Sequence, residues 1–183
     1  MLTAESHRCG MKPIATCSPR NFELVKSYGA EQVFDYRSKS CAADIRAYTK
    51  NSLKFVLDCI SEPETMQFCY ECIGRLGGKY TALEPYPEFL HTRPNVVPDW
   101  VLGPTVLGKD IGWKAPFGRP GDPEMKAFGV KLFKTAQDLL DQGKIRTHPL
   151  QRMPGGLAGV LEGMELLRRK EISGKKLVYR LDQ

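Results

Sequence analysis

The sequence predicts an α/β fold: an open, mainly parallel sheet with helices packed on both of its faces. Three observations carry this. Residues 12–83 alternate short apolar runs with helix-like segments at the spacing of βαβ units. Within those segments apolar residues recur at i, i+3, i+4 and i+7, and glycine follows. With 183 residues, 42% hydrophobic and 9% aromatic, the chain is an ordinary globular one, long enough to bury about 70% of its unfolded surface.

The expected strands are IATCS at 14–18, QVFDY at 32–36, KFVLDCI at 54–60 and KYTAL at 79–83. Between the first two, Ser18 is placed to cap a helix that has Pro19 at its first position and Gly29 past its end, with Leu24, Val25 and Tyr28 as the buried stripe. The next helix runs near 42–50. The one after it sets Met66, Cys69, Tyr70 and Ile73 on one face before Gly77 and Gly78 stop it. From Glu84 to Pro123 proline and glycine punctuate the chain, which predicts loops with one or two short strands. A long helix then presents Met125, Phe128, Gly129, Leu132, Phe133, Ala136, Leu139 and Leu140 on one face, and Gly143 closes it. A shorter helix carries Leu157, Val160, Leu161, Met164 and Leu167, and KLVYRL at 176–181 is a final strand.

Composition narrows the function classes. The first ten residues, MLTAESHRCG, contain no apolar signal-peptide core, and no run approaches the ~20 apolar residues of a membrane span, so a soluble cytoplasmic protein is expected. Six cysteines lie scattered through apolar segments, where reduced thiols pack as small hydrophobes. Cys69-x-x-Cys72 has no second cysteine pair, and His7, His91 and His148 show no ligand spacing, so no metal site is expected. The net charge of +6 gathers at Arg168, Arg169, Lys170, Lys175 and Lys176 without interleaved aromatics, which favours a solvated or anion-facing surface over nucleic acid.

The chemistry concentrates at the strand ends. KPIATCSPRN at 12–21 reads as the second strand of a Rossmann-like doubly wound parallel sheet. In that fold the residue choosing between cofactors follows a glycine-rich phosphate loop by about 20 residues. Counting back that far from Ser18 or Arg20 reaches Met1 or beyond. The expectation is a fold N-terminally truncated, its first strand and glycine loop missing. An acidic residue after this strand would bond the 2′-hydroxyl of NAD; Ser18, Arg20 and Asn21 are groups suited to a 2′-phosphate, which favours NADP. A plain helix cap with a solvated arginine fits the Ser18-Pro19-Arg20-Asn21 segment equally well. Tyr36 ends the next strand on the same side and could stack on adenine, or simply close the strand as a half-buried aromatic. Leu83 and Glu84 begin the loop expected beneath the nicotinamide ribose, chiefly through backbone contacts.

KPIATCSPRNFELVKSYGAEQVFDYRS, KFVLDCI, GPTVLG and the ending LAGVLEGMELLRRKEISGKKLVYRL together resemble the cofactor half of the medium-chain dehydrogenase/reductase superfamily. Within it they are most similar to the trans-acting enoyl reductases of fungal polyketide synthases. The resemblance implies NADP contacts at Ser18, Pro19, Arg20, Asn21, Tyr36, Leu83, Glu84, Ile172 and Ser173. It implies an acyl pocket lined by Gly103, Pro104, Thr105, Val106 and Leu107, no zinc, and no catalytic residue within this chain. It divides the chain into a partial NADP-binding Rossmann domain at 1–143 and a segment at 144–183 that packs on an absent catalytic domain. The implied activity is NADPH-dependent reduction of an α,β-unsaturated acyl thioester carried by a polyketide synthase. A quinone or free-enone reductase on the same scaffold is the alternative, as is a non-catalytic remnant or binding protein.

Overall fold

The computed structural model describes residues 10–181. His7 lies outside the described residues. Seven strands occur among the described residues: β1 Ile14–Thr16, β2 Gln32–Phe34, β3 Phe55–Asp58, β4 Gly78–Ala82, β5 Val96–Trp100, β6 Leu150–Met153 and β7 Lys176–Tyr179. The α-helices are α1 Phe22–Ser27, α2 Cys41–Tyr48, α3 Pro63–Cys72, α4 Pro123–Asp141 and α5 Gly156–Arg168.

Every paired strand is parallel to its neighbour. The pairing falls into three sets, β1–β2, β3–β4–β5 and β6–β7, where the sequence suggests one sheet running from Ile14 to Leu83. The reason is topological. In the doubly wound order 3-2-1-4-5-6, strand 1 bonds both strand 2 and strand 4. The sets β2–β1 and β3–β4–β5 reproduce 3-2 and 4-5-6, and no strand in the role of strand 1 lies among the described residues. The chain divides into two compact units, at Asp35/Tyr36 and again at Asp138/Leu139.

In the unit spanning 36–138, the apolar face of α3, the central strand β4 and the start of β5 build the core: Met66, Cys69, Tyr70, Ile73, Tyr80, Ala82 and Val96 are all buried. Tyr70 and Tyr80 meet edge to face with centroids 5.6 Å apart. Pro63 occupies the first position of α3 and the Glu62 N–H donates to Thr65 Oγ1 at 3.0 Å. The helix ends at Cys72, short of the glycines expected to stop it. Ile73 turns extended, and the Arg93 guanidinium donates to the Tyr70, Ile73 and Gly74 carbonyls at 2.7–2.8 Å, satisfying the orphan acceptors of the last turn. Gly77 and Gly78 serve a different purpose. Side chains there would run into the Asn95 and Lys54 backbones, so the glycines let β4 enter between its two neighbours. Pro98 sits inside β5 because that strand is bonded only to β4 and needs no donor on its far side.

The long helix is found as expected, but its apolar face is largely open: Phe128, Leu132, Phe133 and Leu140 are exposed, Phe133 by 64%, while Gly129 and Leu139 are buried. The same reversal holds for α5. Leu157, Leu161, Met164 and Leu167 point to solvent, Leu161 by 70%, and the covered face carries Gly156 and Gly163. A side chain at Gly163 would collide with the Tyr179 hydroxyl on β7, so the glycine sets how closely helix and strand approach. β6, which the sequence pattern does not announce, pairs with β7 through α5 as one further βαβ unit.

Candidate functional site

A parallel strand delivers the loop that follows it to the carboxyl edge of its sheet, where open α/β folds bind ligands. After β1 that loop is Cys17 and Ser18, leading into a single 3-10 turn, Pro19–Asn21, before α1. Ser18 is extended at φ −64° and ψ 144° with Pro19 next, as the pattern requires, but its hydroxyl makes no capping bond, and the first turn is 3-10 rather than α. The turn is closed by the Asn21 N–H donating to the Ser18 carbonyl at 2.8 Å. Arg20 is exposed, with no side-chain hydrogen bond or ion pair among the described residues. A serine hydroxyl and a guanidinium left without partners beside a strand end are the donor set a phosphate monoester requires.

Asn21 Nδ2 donates to Ser173 Oγ at 2.8 Å, so the structure brings the SPRN turn and the Ile172–Ser173 connection together. Asn21, Ile172 and Ser173 are each half-buried. Burial, reinforced by the Asp35 carboxylate, pushes the Cys17 thiol up and keeps it neutral.

The remaining expected residues belong to the unit spanning 36–138. Tyr36 is 49% exposed, and the Arg37 guanidinium lies 5.4 Å from its ring centroid while Arg37 Nε donates to the Tyr36 hydroxyl at 3.3 Å. Leu83 and Glu84 follow β4 and are exposed, with the Leu83 N–H donating to Ser61 Oγ at 3.0 Å. Gly103, Pro104, Thr105, Val106 and Leu107 form a 3-10 helix in which Thr105 Oγ1 donates to the Leu102 carbonyl at 2.7 Å. Gly129 of α4 packs directly on Val106, and Leu107 is exposed.

Sequence patterning does not single out Asp58, which organises the end of β3. It is buried, accepts four hydrogen bonds, and holds Ser61, the partner of Leu83. Burial and the Asp58 carboxylate push the Tyr80 hydroxyl far up, so it stays protonated and donates. The only local signal is an aspartate two and three residues ahead of the backbone groups it bonds, the spacing of a side-chain turn. Among the described residues no three His, Cys, Asp or Glu side chains gather as a metal would need, and no helix is long and apolar enough to cross a membrane.

The zinc-binding dehydrogenase family matches residues 2–82. The trans-enoyl reductase FSL5 of Gibberella zeae is 66% identical over 174 residues, which is 95% of this chain and 48% of that protein. Over these residues the chain resembles one portion of the medium-chain, zinc-binding dehydrogenases. The enoyl reductase component of the lovastatin nonaketide synthase, lovC of Aspergillus terreus, is 51% identical over 173 residues, 94% of this chain and 48% of that protein. The chain therefore spans about half the length of the relatives it matches. Among solved structures, the JamJ enoyl reductase superposes with a TM-score of 0.70 over 97% of this chain and 50% of its own, at 14% identity. A quinone oxidoreductase of Pseudomonas syringae does so with a TM-score of 0.65 over 96% and 51%, also at 14% identity. At those identities the superpositions speak for the fold alone.

Proposed function

We propose that this chain is the nucleotide-binding portion of a trans-acting enoyl reductase that serves a polyketide synthase. Hydride passes from NADPH to the β-carbon of an α,β-unsaturated acyl thioester on a carrier protein, and the α-carbon is then protonated. The observation that carries this is the 66% identity to a trans-enoyl reductase across 95% of the chain. Ser18, Pro19, Arg20 and Asn21 hold the adenosine 2′-phosphate, and Tyr36 flanks the adenine. Leu83 and Glu84 serve the nicotinamide side, Ile172 and Ser173 contact the nucleotide beside Asn21, and Gly103, Pro104, Thr105, Val106 and Leu107 line the acyl pocket. The exposed apolar face of α5, in the 144–183 segment, packs on the part of the longer relatives that this chain does not match.

Pyrophosphate is held chiefly by backbone N–H groups of a glycine turn, and reduction needs the acyl group pressed against the nicotinamide. The 183 residues alone therefore bind NADPH weakly and turn over no enoyl thioester, whereas the same residues joined to the N-terminal half of the Gibberella relative do both. The test is NADPH oxidation with a crotonyl thioester, and with a quinone as rival substrate. Turnover by the 183 residues alone at the rate of the joined protein overturns this reading, and preference for the quinone overturns the substrate assignment.

A further inference from the structure

Asp58 is 4% exposed and sits at the last position of β3, in register with Ala82 of β4. Its Oδ1 accepts the Ile60 and Ser61 N–H groups at 3.0 and 2.9 Å, and its Oδ2 accepts Thr65 Oγ1 and the Tyr80 hydroxyl at 2.7 and 3.0 Å. Both oxygens are fully used, one on the loop and one on the core, so the carboxylate fixes the loop against the body of the unit.

The loop is held in an uncommon shape. Ser61 has φ +62°, a left-handed conformation that non-glycine residues seldom adopt. Its hydroxyl donates to the Asp58 carbonyl at 3.1 Å and accepts the Leu83 N–H at 3.0 Å. Leu83 is the first residue past β4, where the ladder no longer supplies an acceptor. The serine replaces that acceptor and sets the direction in which Leu83 and Glu84 leave the sheet. Residues in sparsely populated backbone regions persist where the surroundings over-determine them, and they cluster at ligand clamps.

We propose that Ser61, held by Asp58, is a positioning residue for the nucleotide loop at Leu83 and Glu84. This rests on the assignment of that loop to the cofactor. The test titrates NADPH into the isotope-labelled 183-residue chain and follows backbone amide resonances. The Leu83 and Glu84 amides of the unsubstituted chain are expected to respond. Ser61→Ala and Ser61→Gly both delete the hydroxyl, but only glycine relieves the positive φ, so the two variants differ in thermal midpoint with glycine the higher. Both are expected to expose the Leu83 amide to exchange and to weaken NADPH about 5-fold, independent of their stability. Affinity that follows stability, with Ser61→Gly binding as the unsubstituted chain does, overturns the positioning role alone. Silence of Leu83 and Glu84 in the unsubstituted chain overturns the assignment of the loop to the cofactor, and the positioning role with it.

Discussion

Asn21 Nδ2 lies 2.8 Å from Ser173 Oγ, joining two residues 152 positions apart at the mouth of the β1 loop. Both are half-buried, and the Cβ that Gly174 lacks would fall 3.0 Å from Asn21 Oδ1, so backbone approaches the amide from the same side. The bond connects the turn after the first strand with the connection before the last one. Asn21→Ala and Ser173→Ala are each expected to destabilise by about 1 kcal/mol, and the double variant by less than the sum, because the second change removes a bond already lost. Urea unfolding of the four proteins measures the coupling. Strict additivity would show the bond to be energetically silent.

Arg20 is exposed with no side-chain hydrogen bond or ion pair among the described residues, so its removal has no folded-state contact to break. In the chain joined to an N-terminal half, Arg20→Ala is expected to weaken NADPH by about 1–3 kcal/mol and leave NADH nearly unchanged. The unfolding midpoint should stay put. Parallel titrations of both nucleotides check this, and equal losses would count against a 2′-phosphate contact.

Tyr179 presents a buried hydroxyl with no hydrogen-bond partner among the described residues, facing Gly163 across the α5–β7 contact. Tyr179→Phe is expected to stabilise by about 1 kcal/mol, since the orphaned group is removed and the ring kept. Alanine is the better helix former, yet Gly163→Ala should cost about 1–3 kcal/mol, because its methyl would overlap the hydroxyl. Combining the two should recover much of that loss. Thermal unfolding of the singles and the double gives the answer, and a Gly163→Ala protein more stable than the parent would refute the close approach.

Burial pushes the Cys72 thiol up to about 12, and pushes Cys69 and the Tyr80 hydroxyl further still. A raised folded value means that the folded chain keeps protons the unfolded chain releases. The stabilisation is therefore complete below the ordinary thiol value of 9.0 and is lost as pH rises from there through about 12. Each such group steepens the decline by up to about 1.4 kcal/mol per pH unit. Urea midpoints should be flat between about pH 7 and 8 and fall above about pH 9. Among the described cysteines, thiol labelling in the native state should reach exposed Cys59 first and leave Cys69 and Cys72 untouched. Fast labelling of either buried pair member would contradict the packing of α3.

Met66, Cys69, Tyr70 and Ile73 are legible from sequence because helical period and burial coincide on α3, and the parallel strands because short apolar runs alternate with helices at βαβ spacing. The SPRN turn is legible for the same reason: strand, turn and helix are contiguous, and their chemistry is local. Periodicity fails on α4 and α5. An apolar stripe such as Leu157, Leu161 and Met164 declares that a face is apolar and says nothing about whether a partner covers it. On α5 the covered face is the one bearing glycines, chosen by the reach of Tyr179 from a strand that begins beyond the helix. LQRM becomes β6 only because β7 pairs with it.

By itself, then, the chain determines its α/β class, the order of its elements other than β6, and the donor set after β1, since each depends on residues close in sequence. The tertiary structure alone decides which strands share hydrogen bonds, that Asn21 meets Ser173, and that Asp58 holds Ser61 beneath Leu83. These depend on backbone direction at separated points of the chain, where a hydrogen bond forms only if donor and acceptor arrive within about 3 Å and in line, a condition no local pattern records.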